Sequence, residues 1–183
     1  MKVFAEILAI NRTLVVITAF MATVLFLPGL SDENRAGDIC NRFVDLGDST
    51  VRDTSTGLIW LKNANCFGTK NWDDAMDKAA ALHTGECGLT DGSSQGDWRL
   101  PTKEEWEALF DTNYHGPALS NAAGTGKWSE GDAFNNVRSR FYWSSTTYTS
   151  TANVSLGVRL SNGLMSSYAK ANSFYVWPVR GGN

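Results

Sequence analysis

An α+β domain is the fold class the sequence predicts, on three observations: strand-like stretches at both ends of the domain, two stretches of helical periodicity between them, and one strong hairpin turn near the C-terminus. The 183 residues are 43% hydrophobic and 19% charged, a globular composition that one domain of ordinary size accommodates. Lys and Arg total 16 against 19 Asp and Glu, with no basic block, so a phosphate-tracking surface for nucleic acid is not expected. The aromatic content, 7 Trp, 5 Tyr and 9 Phe, fits either a Trp-rich core or an aromatic binding face.

Residues 1–31 read as an address. Lys2, Glu6 and Arg12 precede an uncharged apolar run from Thr13 to Leu27, which Pro28 and Gly29 break. The run is short for a membrane span of about 20 residues and suits a signal peptide cleaved near Ser31; an uncleaved N-terminal anchor is the alternative, and both imply export to the periplasm, the cell surface or the medium. Gly37-Asp38-Ile39 lacks the small-residue approach of a lipid-modified cysteine at Cys40. Residues 32–41 form a polar linker and 42–183 the domain. Loss of residues 1–31 leaves 14 basic and 18 acidic groups, a net charge of -4.

The domain opens with apolar pairs separated by Asp, Gly and Thr, read as short strands around Phe43 and Val44 and over Leu58 to Leu61, with Thr56-Gly57 turning the chain. Asp45, Asp48 and Asp53 lack the spacing of a calcium loop and suit turns. Trp72, Ala75, Met76, Ala79, Ala80 and Leu82 recur mostly at three- and four-residue spacing, which predicts a helix over Asn71 to His83, stopped at Gly85. Thr102 and Glu105 make a capping box for a second helix over Lys103 to Asp111. Thr112 to Asn136 is a long irregular stretch, either a functional surface or a cover. RFYWSSTTYT then reads as a strand, Val154, Leu156, Val158 and Leu160 mark the buried face of the next, and Asn162-Gly163 turns the chain into a return strand over Leu164 to Tyr168. SFYVWPVRG is dense enough for a central strand until Pro178. Trp72, Trp106, Trp143 and Trp177 are expected in the core.

Three cysteines leave one unpaired. Cys66 and Cys87 bracket the first helix, and a bridge between them would pin it; Cys40 is then a free thiol or an intermolecular disulfide link. With no CxxC and only His83 and His115, no metal is expected, and no phosphate-cradling loop or dinucleotide fingerprint calls for a cofactor. Ser144 and Ser145 lack a nucleophile elbow, and the carboxylates Asp97, Glu104, Glu105 and Glu107 fit the solvated face of a capped helix better than a hydrolytic pair. A polar and aromatic surface remains in the C-terminal hairpin region: Arg140, Tyr148, Asn153, Arg159, Asn162, Tyr168 and Lys170, groups that stack on and hydrogen-bond sugar rings or peptide side chains. Arg180 either clamps a buried acid or sits in solvent.

The strings FVDLGDSTVRDTSTGLIWLKNANCF, CGLTDGSSQGDWRLPTKEEWEAL, FYWSSTTY and YVWPVRGG, in that order, resemble the C-terminal domain family of the Legionella collagen-like protein over Phe43 to Gly182. Ser49 stands where the family usually has glycine before Thr50, and Cys40 is extra. The resemblance implies a C-type-lectin-like fold, with two helices flanking a twisted, loop-rich, mostly antiparallel sheet whose N- and C-terminal strands pair. It also implies a ligand-binding or adhesion module of the cell surface. The calcium-ligand motifs Glu-Pro-Asn and Gln-Pro-Asp of calcium-dependent lectins are absent. WRLPTKEEWEAL and VRGG are similar to segments of formylglycine-generating proteins, yet no cysteine follows Cys87 to supply their copper-binding pair. The expectation is an exported, non-catalytic module whose ligand is a glycan or a cell-surface protein. The alternatives are an envelope assembly protein and an enzyme.

Overall fold

The computed structural model describes residues 41–148 and 151–181. The signal-peptide reading of residues 1–31, most of the 32–41 linker and the Cys40 reading lie outside the described residues. The described residues belong to one compact unit.

The element order is β1 (Phe43–Asp45), β2 (Thr50–Asp53), β3 (Ile59–Leu61), β4 (Thr69–Lys70), α1 (Trp72–Ala81), α2 (Lys103–Leu109), β5 (Phe141–Thr147), β6 (Val154–Arg159), β7 (Leu164–Ala169), β8 (Phe174–Tyr175) and β9 (Val179–Arg180). They build two sheets where a single one was expected. One is ordered β1-β2-β3-β9 and antiparallel throughout; the other is ordered β4-β8-β5-β6-β7 and antiparallel except between β5 and β8. The class is therefore α+β, and the pairing of β3 with β9 joins the two ends of the domain.

β2 is the strand the sequence hides. Its run TVRD ends on two adjacent charged residues, yet Asp53 is buried, because its carboxylate accepts from the Ser55 backbone and hydroxyl and lies 3.8 Å from Arg42. A buried acid with such partners loses the penalty that makes charge look like a surface signal. The turn from β1 into β2 places Ser49 at φ 68, the left-handed region where glycine is at ease, and its hydroxyl donates to the Gly88 carbonyl at 2.8 Å.

Both helices form where their caps dictate, two residues shorter at the C-terminal end than their periodicity suggests. Asn71 Oδ1 accepts from the Asp74 N–H at 2.9 Å to start α1. Thr102 and Glu105 make the reciprocal capping box of α2, and the Arg42 guanidinium donates to the Ala108 and Leu109 carbonyls at its far end. The Cys66–Cys87 disulfide brackets α1, with 5.9 Å between its Cα atoms. Closing that loop removes about 3 kcal/mol of chain entropy from the unfolded state.

A main core gathers Trp60, Trp106, Trp177, Tyr142, Phe43 and Phe134, with ring centroids of the Trp60, Trp106 and Trp177 trio 5.4 to 5.9 Å apart. A smaller core beneath α1 holds Ala75, Ala79, Leu100, Trp143 and Val176. Trp72 departs from expectation: it is half-buried, its indole donates to the Ser144 carbonyl, and the Lys170 ammonium sits 3.9 Å above its ring. Trp60 and Trp98 are fully buried in its stead. The irregular stretch 112–136 is a cover, placing Ala118, Leu119, Ala133 and Phe134 in the interior.

The closing aromatic run serves both sheets. Phe174 and Tyr175 lie in β8, an inner strand, Trp177 enters the main core, and after Pro178 the chain joins the other sheet as β9. The alternation on β6 also needs correcting. Val158 and Leu160 are buried as expected, but Val154 and Leu156 are half-buried and Ser155 and Gly157 of the supposedly wetter face are buried, Gly157 because the Phe174 and Tyr168 rings lie over its backbone.

Candidate functional site

Strand registry decides which side chains share a face. Phe141 pairs with Arg159, Trp143 with Gly157, Gly157 with Ser166, Ser155 with Tyr168 and Arg159 with Leu164. Paired residues point the same way, so Phe141, Arg159, Leu164, Ser166 and Tyr168 occupy one side of the second sheet. Phe174 joins them from β8, whose Tyr175 pairs with Tyr142. Helix α1 covers this side at Trp143 and Val176, with Tyr168 and Phe174 packed against the margin of that cluster. Toward Arg159 and Leu164 the side is open.

Its floor is aromatic. Phe141 stacks on Phe174 at 5.0 Å, and Tyr168 meets both edge-on, at 5.2 Å from Phe141 and 5.0 Å from Phe174. All three rings are half-buried. Gly157 makes this possible: a Cβ there would stand 2.9 Å from Phe174 and 3.0 Å from Tyr168, so the missing side chain lets two rings lie over the backbone. The Arg159 guanidinium sits 4.9 Å above the Phe141 ring. Beside it, Ser139, Arg140, Phe141, Arg159 and Ser161 line an open depression of about 320 Å³, and Phe141 also walls a smaller one of about 210 Å³ with Arg140 and Phe174. Two guanidiniums, two serines and an exposed ring edge can hydrogen-bond a hydroxyl-rich or carbonyl-rich ligand while stacking on its apolar face.

The seven residues singled out from the sequence do not converge on one site. Arg140, Arg159 and Tyr168 belong to this open face. Asn153 and Lys170 line a separate groove of about 580 Å³ against the start of α1, together with Asn71, Asp73 and Asp74. Tyr148 is half exposed just beyond β5. Asn162 has a local task, accepting the Leu164 N–H at 3.2 Å to hold the hairpin turn. Phe141 and Phe174 were missed as site residues; the pairing of FYW against VRL could have pointed to Phe141, but nothing local brings Phe174 to it.

The carboxylates near Asp97 are occupied structurally. Glu105 receives two hydrogen bonds from Arg99, at 2.6 and 2.7 Å, and a third from the Thr102 N–H; the bonds to Glu105 and its charge hold the Arg99 guanidinium more firmly protonated than usual despite its partial burial. Asp97 accepts from the Ser94 N–H, and Glu107 pairs with Lys103 on the exposed face of α2. Arg180 resolves to a clamp on a buried acid: it lies 3.1 Å from Asp91, whose side chain is wholly buried, and 5.3 Å above the Trp98 ring. Burial raises the Asp91 pKa, but hydrogen bonds from Ser93 and Thr84 and the Arg180 charge outweigh it and leave the group more acidic than usual. Among the described residues no group of three or more His, Cys, Asp or Glu is placed to hold a metal ion, and no helix is long and apolar enough to cross a membrane.

No curated protein matches the sequence. The Lcl C-terminal domain model matches residues 49–180, a span that takes in every element from β2 to β9 and the whole of the open aromatic face. By that match the chain belongs to the Lcl C-terminal domain family.

Proposed function

We propose that this domain is an exported, non-catalytic ligand-binding module of the adhesion type, with a C-type-lectin-like arrangement, and that a glycan or a cell-surface protein docks on the open face of the second sheet. The observation that carries the reading is the half-buried trio Phe141, Tyr168 and Phe174 flanked by Arg140 and Arg159. Aromatic rings kept at a surface cost burial, and they are worth keeping where a ligand supplies the missing cover. The lectin-like arrangement is supported by paired terminal strands, two helices and a bridge that pins the first of them. Export is supported by the apolar run before residue 31 and by a disulfide of the kind that persists in oxidising compartments.

The test is a pair of arrays, one of glycans and one of surface proteins, probed with the domain and with two variants. Arg159→Ser and Tyr168→Ala should each weaken a hit at least about tenfold, which corresponds to about 1.4 kcal/mol. Asn162→Ala, which alters only the turn, should leave it unchanged. Silence across both arrays, or a hit indifferent to Arg159 and Tyr168, would refute the assignment.

A further inference from the structure

We propose that β7 is a dimerisation edge, on which two copies of this chain pair antiparallel about a two-fold axis at Ser167, joining their five-stranded sheets edge to edge. β7 is the last strand of its sheet. Lys170 N–H donates to the Asn153 carbonyl, and Leu160 N–H to the Arg140 carbonyl on the other side of β6. With the registry of β6 on β7, these bonds turn the backbone of Leu164, Ser166 and Tyr168 toward β6 and that of Met165, Ser167 and Ala169 outward. Among the described residues nothing hydrogen-bonds the backbone of Met165 or Ser167, and Ala169 receives only the Asn172 N–H.

Natural sheets protect such an edge with a lysine, a proline, a bulge or a covering loop. Among the described residues β7 has none of these over LMSSYA, and Leu164 is 55% exposed at its start. The other sheet edges are managed. β1 donates its Phe43 N–H to the Ala122 carbonyl, β9 is bridged by Arg99, and β4 is two residues long. One free edge has a geometric consequence: a strand that pairs with its own copy closes a dimer, whereas two free edges would propagate a fibre.

Charge and registry select a second copy as the occupant. A strand that meets itself brings each charged residue near its own copy, and β7 carries no charge to repel. Pairing Ser167 with Ser167 and Met165 with Ala169 uses all three outward-facing residues, about six backbone hydrogen bonds; the registry centred on Ser166 uses only two of them. In the favoured registry Ser166 of each copy lies beside Tyr168 of the other on the open face, where a serine leaves room for the ring. The two aromatic faces then run on as one surface. That last consequence bears on the proposed ligand site, but the pairing itself stands apart from any ligand.

Sedimentation equilibrium on residues 39–183, which carry both cores, tests it in three arms. The unaltered domain should dimerise below about 100 μM. Ser167→Lys and Ser167→Glu should each weaken the dimer at least about tenfold, since like charges then face each other across the axis, and an equimolar mixture of the two should recover it. Circular dichroism and urea midpoints of the variants, at an exposed position, should match the parent. A monomer at every concentration overturns the proposal, as does a dimer indifferent to both charges or one that the mixture fails to restore. Capture of an extended peptide by a monomeric domain would assign the edge to another partner and overturn it equally.

Discussion

Replacing Gly157 by alanine should loosen the open face by a calculable amount. The added Cβ would stand 2.9 Å from Phe174 Cε2, 3.0 Å from Tyr168 Cδ2 and 3.1 Å from Phe174 Cδ2. Carbon atoms rest at about 3.5–4.0 Å, so both rings must retreat by about half an ångström or more. Overpacking of this kind costs about 1–3 kcal/mol in a closed core. Here the rings are half-buried and can move toward solvent, which favours the lower half of that range. They do not move freely, however. Phe174 also packs on Trp143 at 4.4 Å, and its pairs with Phe141 and Tyr168 move with it. Against this, Gly157 does not use the left-handed backbone region, so alanine gains about 0.4–1 kcal/mol by restricting the unfolded chain. The net expectation is a loss of about 1 kcal/mol, seen as a lower urea midpoint with an unchanged slope and a Tm lower by about 2–4 °C. In a Phe174→Ala background the same substitution should cost markedly less, giving a coupling energy of at least about 0.5 kcal/mol. A Gly157→Ala protein as stable as its parent, or strictly additive with Phe174→Ala, would refute the account of why a glycine sits in mid-strand.

Three further expectations follow from single contacts. Ser49→Ala keeps the left-handed backbone and loses the hydroxyl bond to Gly88, so it should destabilise by about 1 kcal/mol, while Ser49→Gly loses the bond but relieves the backbone and should stay near neutral; chemical denaturation of both variants checks the order. Replacing Cys66 and Cys87 together by alanine should cost about 3 kcal/mol, measured on a Cys40→Ser background to exclude exchange. Asp91 is more acidic when folded than its ordinary value of 3.8, so the stability it contributes is complete above that pH and drains away as pH falls through the lower folded value. Urea midpoints taken from pH 5 downward should therefore fall less steeply for Asp91→Asn than for the parent.

Local chemistry made part of this structure legible. The capping box of α2 lies at Thr102 and Glu105 as its spacing demands, Asn162-Gly163 turns the hairpin, and the helix-bracketing cysteines pair. What stayed hidden depends on distant partners. Asp53 masks β2 because its burial is underwritten by Arg42 and Ser55, which the sequence offers only as more polar residues. Phe134 and Leu119 enter the core from a stretch without period, held by hydrogen bonds such as that from the Trp128 N–H to the Leu119 carbonyl. The candidate site was half legible for the same reason. Arg159 and Tyr168 sit in recognisable strands, but their meeting with Phe174 depends on a parallel strand inserted between β4 and β5. Asn153 and Lys170 look like their neighbours in sequence and belong to another groove.

The passage of the last aromatic run from one sheet to the other also sets an order in time. Trp177 donates its indole N–H to the carbonyl of Leu61, 116 residues earlier, and Val179 pairs with Trp60. Until Phe174 to Arg180 have left the ribosome, one sheet lacks an inner strand, the other lacks its last strand, and the main core lacks Trp177. Contacts of such long sequence separation form late and slowly. A chain truncated after Lys170 should thus remain open to proteases, so that emergence of this last aromatic run, rather than collapse of the N-terminal half, is the event that commits this domain to its native state.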